Sequence, residues 1–100
     1  MKQREVVFSP EAIDDLDRLY DWIASVAGVS VALRYVERIE TFCMKLDLAS
    51  ERGILREDIR PGLRVVGFER RLTVAFSVDA EIVTIYRLFY GGQNWEEVLA

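Results

Sequence analysis

The residues of this chain best equipped for chemistry are its arginines. Arg60, Arg64, Arg70, Arg71 and Arg87 fall within a stretch whose only acids are Glu69, Asp79 and Glu81. A guanidinium offers carboxylates and phosphates a planar fork of donors, so the chemistry on offer is anion binding. Acid–base catalysis needs a further pair of groups to take and give a proton. The chain has no histidine, and no lysine follows Lys45. Tyr90 and Arg64 can help hold a phosphate, but no acid–base pair accompanies them, and no residue is assigned a catalytic role. Cys43 lies on the apolar stripe of a helical segment with no histidine to activate it. It reads as a small buried hydrophobe.

Other sites are poorly supported. Asp14, Asp15, Asp17 and Asp21 cluster on a helical segment with Arg18 interleaved, which is a solvated acidic face rather than a metal site. Gly91-Gly92 is followed by Gln93 and Asn94, not by the Lys-Ser or Lys-Thr pair of a phosphate-binding loop. No metal or cofactor is expected. The formal net charge of -4 argues against a protein whose main task is gripping nucleic acid, and no direct sequence-specific DNA binding is expected.

The elements that must position these groups follow from periodicity. Glu5 to Phe8 is a β-branched and aromatic run, a first strand. Ser9 and Pro10 supply an N-cap and a favoured first helical residue. Helix 1 is expected from Pro10 to Ala27, with Ile13, Leu16, Tyr20, Ile23 and Ala27 as its apolar stripe and Gly28 as its stop. Leu19, Trp22 and Val26 form a second apolar row. Either the helix is wide-faced with Trp22 half-buried, or the row meets a partner, since a large exposed aromatic beside aliphatic residues is a common interface anchor.

Helix 2 is expected from near Ser30 to about Leu48, packed on helix 1 as an antiparallel hairpin. Ala49 to Arg60 reads as a polar loop, and Pro61-Gly62 punctuates it. Leu63 to Phe68 is a strand. Arg71 to Val78 alternates, with Leu72, Val74, Phe76 and Val78 on one face and Arg71, Thr73, Ala75 and Ser77 on the other. Glu81 to Tyr90 is the longest strand and apolar on both faces, so its pattern leaves the face of Arg87 open. After Gly91-Gly92, Asn94 and Glu97 fit a capping box for a short helix carrying Trp95.

The order β-α-α-β-β-β plus a short terminal helix defines a small α+β fold. It is expected to have two layers, an antiparallel sheet covered on one face by the N-terminal helical hairpin. One domain is expected over residues 1–100. The apolar runs are too short for a membrane span, no apolar region precedes a cleavage site near the N-terminus, and one cysteine leaves no internal disulfide. A cytoplasmic protein without membrane contact is expected.

Four stretches in this order, VVFSPEAIDDLDRLYDWI, RPGLR from Arg60, RLTVAFSV from Arg71 and IYRLFYGGQ from Ile85, resemble the RelE/ParE superfamily of toxins. The likeness runs over essentially the whole chain and is closer to the ParE branch. It implies a toxin that acts on DNA gyrase and is silenced by a cognate ParD-like antitoxin with a ribbon-helix-helix domain and a toxin-wrapping segment. The RelE branch instead cuts mRNA on the ribosome. Arg71 looks like the arginine that opens the middle strand there, but Gly92-Gln93 stands where a basic residue is expected. The alternatives are therefore such an endonuclease, or an inactive antitoxin-binding co-repressor. Leu19, Trp22, Val26, Arg64, Arg71 and Arg87 are the candidate antitoxin-binding residues, and Tyr90 and Trp95 the candidate target-binding residues. For Arg64, Arg71 and Arg87, surface salt bridges and a shared basic patch both remain open.

Overall fold

A computed structural model describes residues 4–48 and 51–99. The elements are β1 (Glu5–Phe8), α1 (Pro10–Ala27), α2 (Val29–Met44), a 3-10 turn (Lys45–Asp47), β2 (Ile54–Leu55), β3 (Leu63–Phe68), β4 (Leu72–Val78), β5 (Ile82–Tyr90) and α3 (Trp95–Leu99). They form one five-stranded sheet in the order β1-β5-β4-β3-β2. The meander β3-β4-β5 is antiparallel as expected, but β1 pairs with β5 in parallel. The sheet is therefore mixed. The hairpin α1–α2 intervenes between β1 and the meander, and such a crossover permits a parallel return. The polar loop expected from Ala49 begins outside the described residues, and within it Ile54 and Leu55 add a two-residue edge strand to β3.

Ser9 starts α1 with an extended backbone, and its hydroxyl accepts a bond from the Ala12 amide. α1 ends at Gly28, which also begins α2, so a single residue links the helices. Gly28 has φ 100° and ψ 159°, a region essentially restricted to glycine. Gly53 is required for another reason, since a Cβ there would overlap the Val65 carbonyl. The helices bury Leu19, Ile23, Tyr35, Ile39, Cys43 and Leu46 against Leu72, Val74, Phe76, Val83, Ile85 and Leu88 of the sheet. The alternation of β4 holds, because Ala75 faces the opposite way. There Leu63, Val65, Ala75 and Phe89 form a second cluster with Leu99 of α3, against which Ile59, Tyr86 and Trp95 pack.

Cys43 is fully buried, and desolvation pushes its thiol up to about 12, with Glu40 adding to the shift. The native thiol is accordingly inert: iodoacetamide at pH 8 labels Cys43 only after the chain is unfolded in urea, and rapid labelling of the folded protein contradicts this packing. Nothing lies within 4 Å of a Cβ built on Gly28, so Gly28→Ala tests the backbone alone. Urea unfolding should show a loss of about 1–3 kcal/mol; an unchanged midpoint would mean that the link relaxes into an ordinary conformation.

Candidate functional site

The one-residue link sets the end of α1 against the start of α2, and a groove of about 510 Å³ opens where this end meets the sheet. Trp22 and Val26 from α1, Val31, Arg34, Tyr35 and Arg38 from α2, Glu69 and Arg71 from the β3–β4 turn, and Tyr90 from β5 line it. Trp22 and Val26 are 52% and 64% exposed, whereas Leu19 of the same row is 7% exposed and belongs to the core. The row thus splits. Leu19 anchors α1 to the sheet and is removed from the accessible set, while Trp22 and Val26 remain on the groove wall. The half-buried reading of Trp22 is met in part, since its ring packs on Tyr90 at 5.5 Å between centroids.

That contact starts an aromatic row. Tyr90 meets Tyr35 edge-on at 6.0 Å, Tyr35 meets Phe68 at 6.4 Å, and Phe68 meets Phe42 at 4.8 Å. Phe68 and Phe42 line a second groove of about 780 Å³ with Glu37, Thr41, Lys45 and Arg52, and Arg34, Arg38 and Glu69 border both grooves. Five cations, Arg34, Arg38, Lys45, Arg52 and Arg71, face this path against two acids, Glu37 and Glu69. In a chain of net charge -4 that is a marked local excess.

Arg38 and Glu69 join α2 to the β3–β4 turn. The guanidinium donates Nε to Oε2 at 2.9 Å and a second nitrogen to Oε1 at 3.0 Å, and it lies over the Tyr35 ring at 5.1 Å. The hydrogen bond from Arg38 holds the Glu69 carboxyl below its ordinary value. Beneath them Tyr35 is 8% exposed, and its hydroxyl has no hydrogen-bond partner among the described residues. Burial raises its pKa, helped by the nearby Tyr90 and Glu69. A buried unsatisfied hydroxyl costs free energy, so a ligand that supplied a partner would regain it.

The three strand arginines do not form one patch. Arg71 is exposed in the groove. Arg64 donates to the Glu51 carbonyl at 2.9 Å. Arg87, whose face the pattern left open, is paired in register with Ala75 and stacks on Phe89. Its guanidinium donates to both Asp15 oxygens, at 2.8 and 3.1 Å. The salt-bridge reading holds for Arg87, which is occupied inside the molecule. Tyr90 and Trp95 also separate. Tyr90 floors the groove, while Trp95 packs on the second cluster beneath the Arg56 guanidinium, 5.3 Å from its ring. Arg56 is fixed there by Asp58 and Glu96 at 2.8 and 2.7 Å.

Packing adds Arg34, Tyr35, Arg38 and Glu69 to the residues singled out in the sequence. Most of the Tyr35 side chain lies in the core, with its ring edge at the groove. A usable signal existed in Arg34, Arg38 and Lys45, whose spacings of four and seven residues place them on one helical face.

The architecture, an α1–α2 hairpin on a mixed sheet, is a RelE/ParE-like α+β fold. In solved structures it is similar to a chromosomal ParDE toxin–antitoxin system from P. aeruginosa, with 26% identity and a TM-score of 0.77 over 89% of this chain and 97% of that one. The toxin–antitoxin complex RelBE2 from Mycobacterium tuberculosis shares the fold at 17% identity and a TM-score of 0.64, over 88% of this chain and 98% of that one. Toxin ParE3 of Caulobacter vibrioides is 34% identical over 80 residues, 80% of this chain and 79% of that protein. The family model of the ParE toxin of type II toxin–antitoxin systems, parDE, matches residues 6–95, and the chain belongs to this family.

The Asp15 carboxylate also accepts the Leu88 amide at 2.9 Å, and its side chain is 9% exposed. Asp15→Ala leaves Arg87 and that amide unpaired and should lower stability by about 3 kcal/mol, whereas Asp15→Asn keeps an acceptor and should lose less. Equal losses for the two variants in denaturant titrations would contradict the amide's share.

Proposed function

We propose that this chain is a non-enzymatic toxin that inhibits DNA gyrase and is neutralised when a cognate ribbon-helix-helix, ParD-like antitoxin lays a segment in the groove between the hairpin and the sheet. Membership of the ParE family supports the toxin class. The groove supplies the observation that carries the binding reading: an aromatic row from Trp22 to Phe42 bordered by five cations. Such a surface takes an amphipathic segment with apolar side chains in the grooves and carboxylates on the arginines. Inhibition by binding rather than by cutting accords with a sequence that has no histidine and no lysine after Lys45. Gyrase acts on the chromosome, so this reading places the protein in the cytoplasm. Tyr90 and Trp95 stand as candidate contacts to the target; lying on different faces, they would touch it separately.

Three measurements test this. Purified chain added to gyrase and plasmid should accumulate cleaved DNA, and induced cells should filament with DNA-damage signalling. Intact plasmid together with prompt mRNA cleavage would overturn the proposal in favour of an endonuclease. For the groove, Trp22→Ala should weaken antitoxin binding by more than about 1–2 kcal/mol; unchanged affinity places the antitoxin elsewhere.

A further inference from the structure

We infer that the two grooves are a single peptide track, and that Glu69 occupies Arg38 in place of a carboxylate that the antitoxin segment brings. This rests on the antitoxin-binding reading above and adds an exchange of ion-pair partners to it.

Three observations support the exchange. The Arg38–Glu69 pair stands at the junction, since both grooves are bordered by these two residues and by Arg34. The pair is bidentate, yet its side chains are 51% and 40% exposed, so water and incoming groups reach it. At that exposure water screens the pair, so a second carboxylate can compete with Glu69 for the same guanidinium. The turn that carries Glu69 is also held in a demanding shape: Glu69 and Arg70 have φ of 50° and 66°, where Asn and Gly are the usual occupants. The strand pairing beside the turn, Phe68 with Leu72 and Gly67 with Thr73, sets that shape, so the tie to α2 can be given up.

The surrounding charges identify the incoming group. Arg34, Lys45, Arg52 and Arg71 make no ion pair among the described residues, so the path attracts an acidic chain, and Arg38 is its one cation already neutralised. The exposed Trp22 and Val26 favour a chain with apolar side chains between its acids, which fits a peptide better than a nucleic acid. When the partner's carboxylate takes the Arg38 fork, Glu69 moves into solvent and the β3–β4 turn is released from α2.

The test uses a fluorescein-labelled helical peptide of Leu-Glu-Glu-Leu repeats, its Leu-Gln-Gln-Leu counterpart and a labelled single-stranded oligonucleotide, with affinities read by fluorescence anisotropy. The acidic peptide should bind the wild type about tenfold more tightly than the neutral one, and Trp22→Ala should weaken it. Glu69→Gln should tighten binding about threefold or more, and clearly beyond Glu37→Gln, which removes a charge from the same wall without freeing Arg38. In an Arg38→Ala background Glu69→Gln should change nothing, since the coupling runs through that guanidinium. If the acidic peptide binds and Trp22→Ala weakens it, but Glu69→Gln matches Glu37→Gln or weakens binding, the exchange is wrong while the groove reading stands. If the acidic peptide does not bind, or the oligonucleotide binds in preference, or Trp22→Ala has no effect, the groove reading fails and the exchange with it.

Discussion

The edge of β5 is the constraint on which the rest of this structure depends. β5 runs for nine residues, but β1 pairs with only its first four, Ile82 to Ile85. Beyond that point the strand would present unpaired backbone groups in a partly buried place, which is costly unless they are met. The residues that follow β1 meet them. The Ser9 amide donates to the Ile85 carbonyl, its hydroxyl donates to the Tyr86 carbonyl, and the Asp15 carboxylate accepts the Leu88 amide. A register shift between Ala75 and Phe76 leaves Tyr86 without a partner on β4, so the edge is handed from strand to helix at an irregularity.

The same contacts build the wall of the groove. Asp15, Leu19 and Trp22 are spaced by four and three residues and lie on one side of α1, facing β5. Asp15 fixes that side to the Leu88 amide, Leu19 packs beneath it, and Trp22 arrives beside Tyr90. The apolar row that looked spare in the sequence is therefore a continuation of the docking face of α1, emerging into solvent only at its end. Gly28 then turns the chain sharply enough for Arg34 and Arg38 to stand opposite the β3–β4 turn. A sheet edge satisfied by a helix thus becomes a groove with an aromatic floor.

The elements with strong local signals were legible. The strand β1, the cap at Ser9, the extent of α1, the stop at Gly28, the alternation of β4 and the Asn94 cap on the Glu97 amide all rest on short-range chemistry, and all are present; the return half of the Asn94–Glu97 box is a bond between the two side chains instead of one to the Asn94 amide. The parallel pairing of β1 with β5 was not legible, because four residues of strand carry no sign of their partner. β2 was hidden by its length and by the polar residues around Ile54 and Leu55. At the candidate site, packing regroups the residues singled out in the sequence. Trp22 and Arg71 line one groove together with Tyr90, which the sequence had grouped with Trp95, and Arg87 is drawn away by Asp15, an acid that looked like one of several solvated carboxylates. The Arg38–Glu69 pair spans 31 positions in sequence, and only the packing of α2 on the sheet brings it together.

The central claim is that the grooved side between the hairpin and the β3–β4 turn, not the α3 side of the sheet, receives the partner. Amide hydrogen exchange of the chain, free and co-purified with its antitoxin, tests this most directly. The account predicts added protection from Trp22 through Arg38 and at the turn around Glu69, with the segment from Arg56 to Gly62 and α3 unchanged. Protection confined to that segment and α3, with the hairpin unaffected, would contradict it.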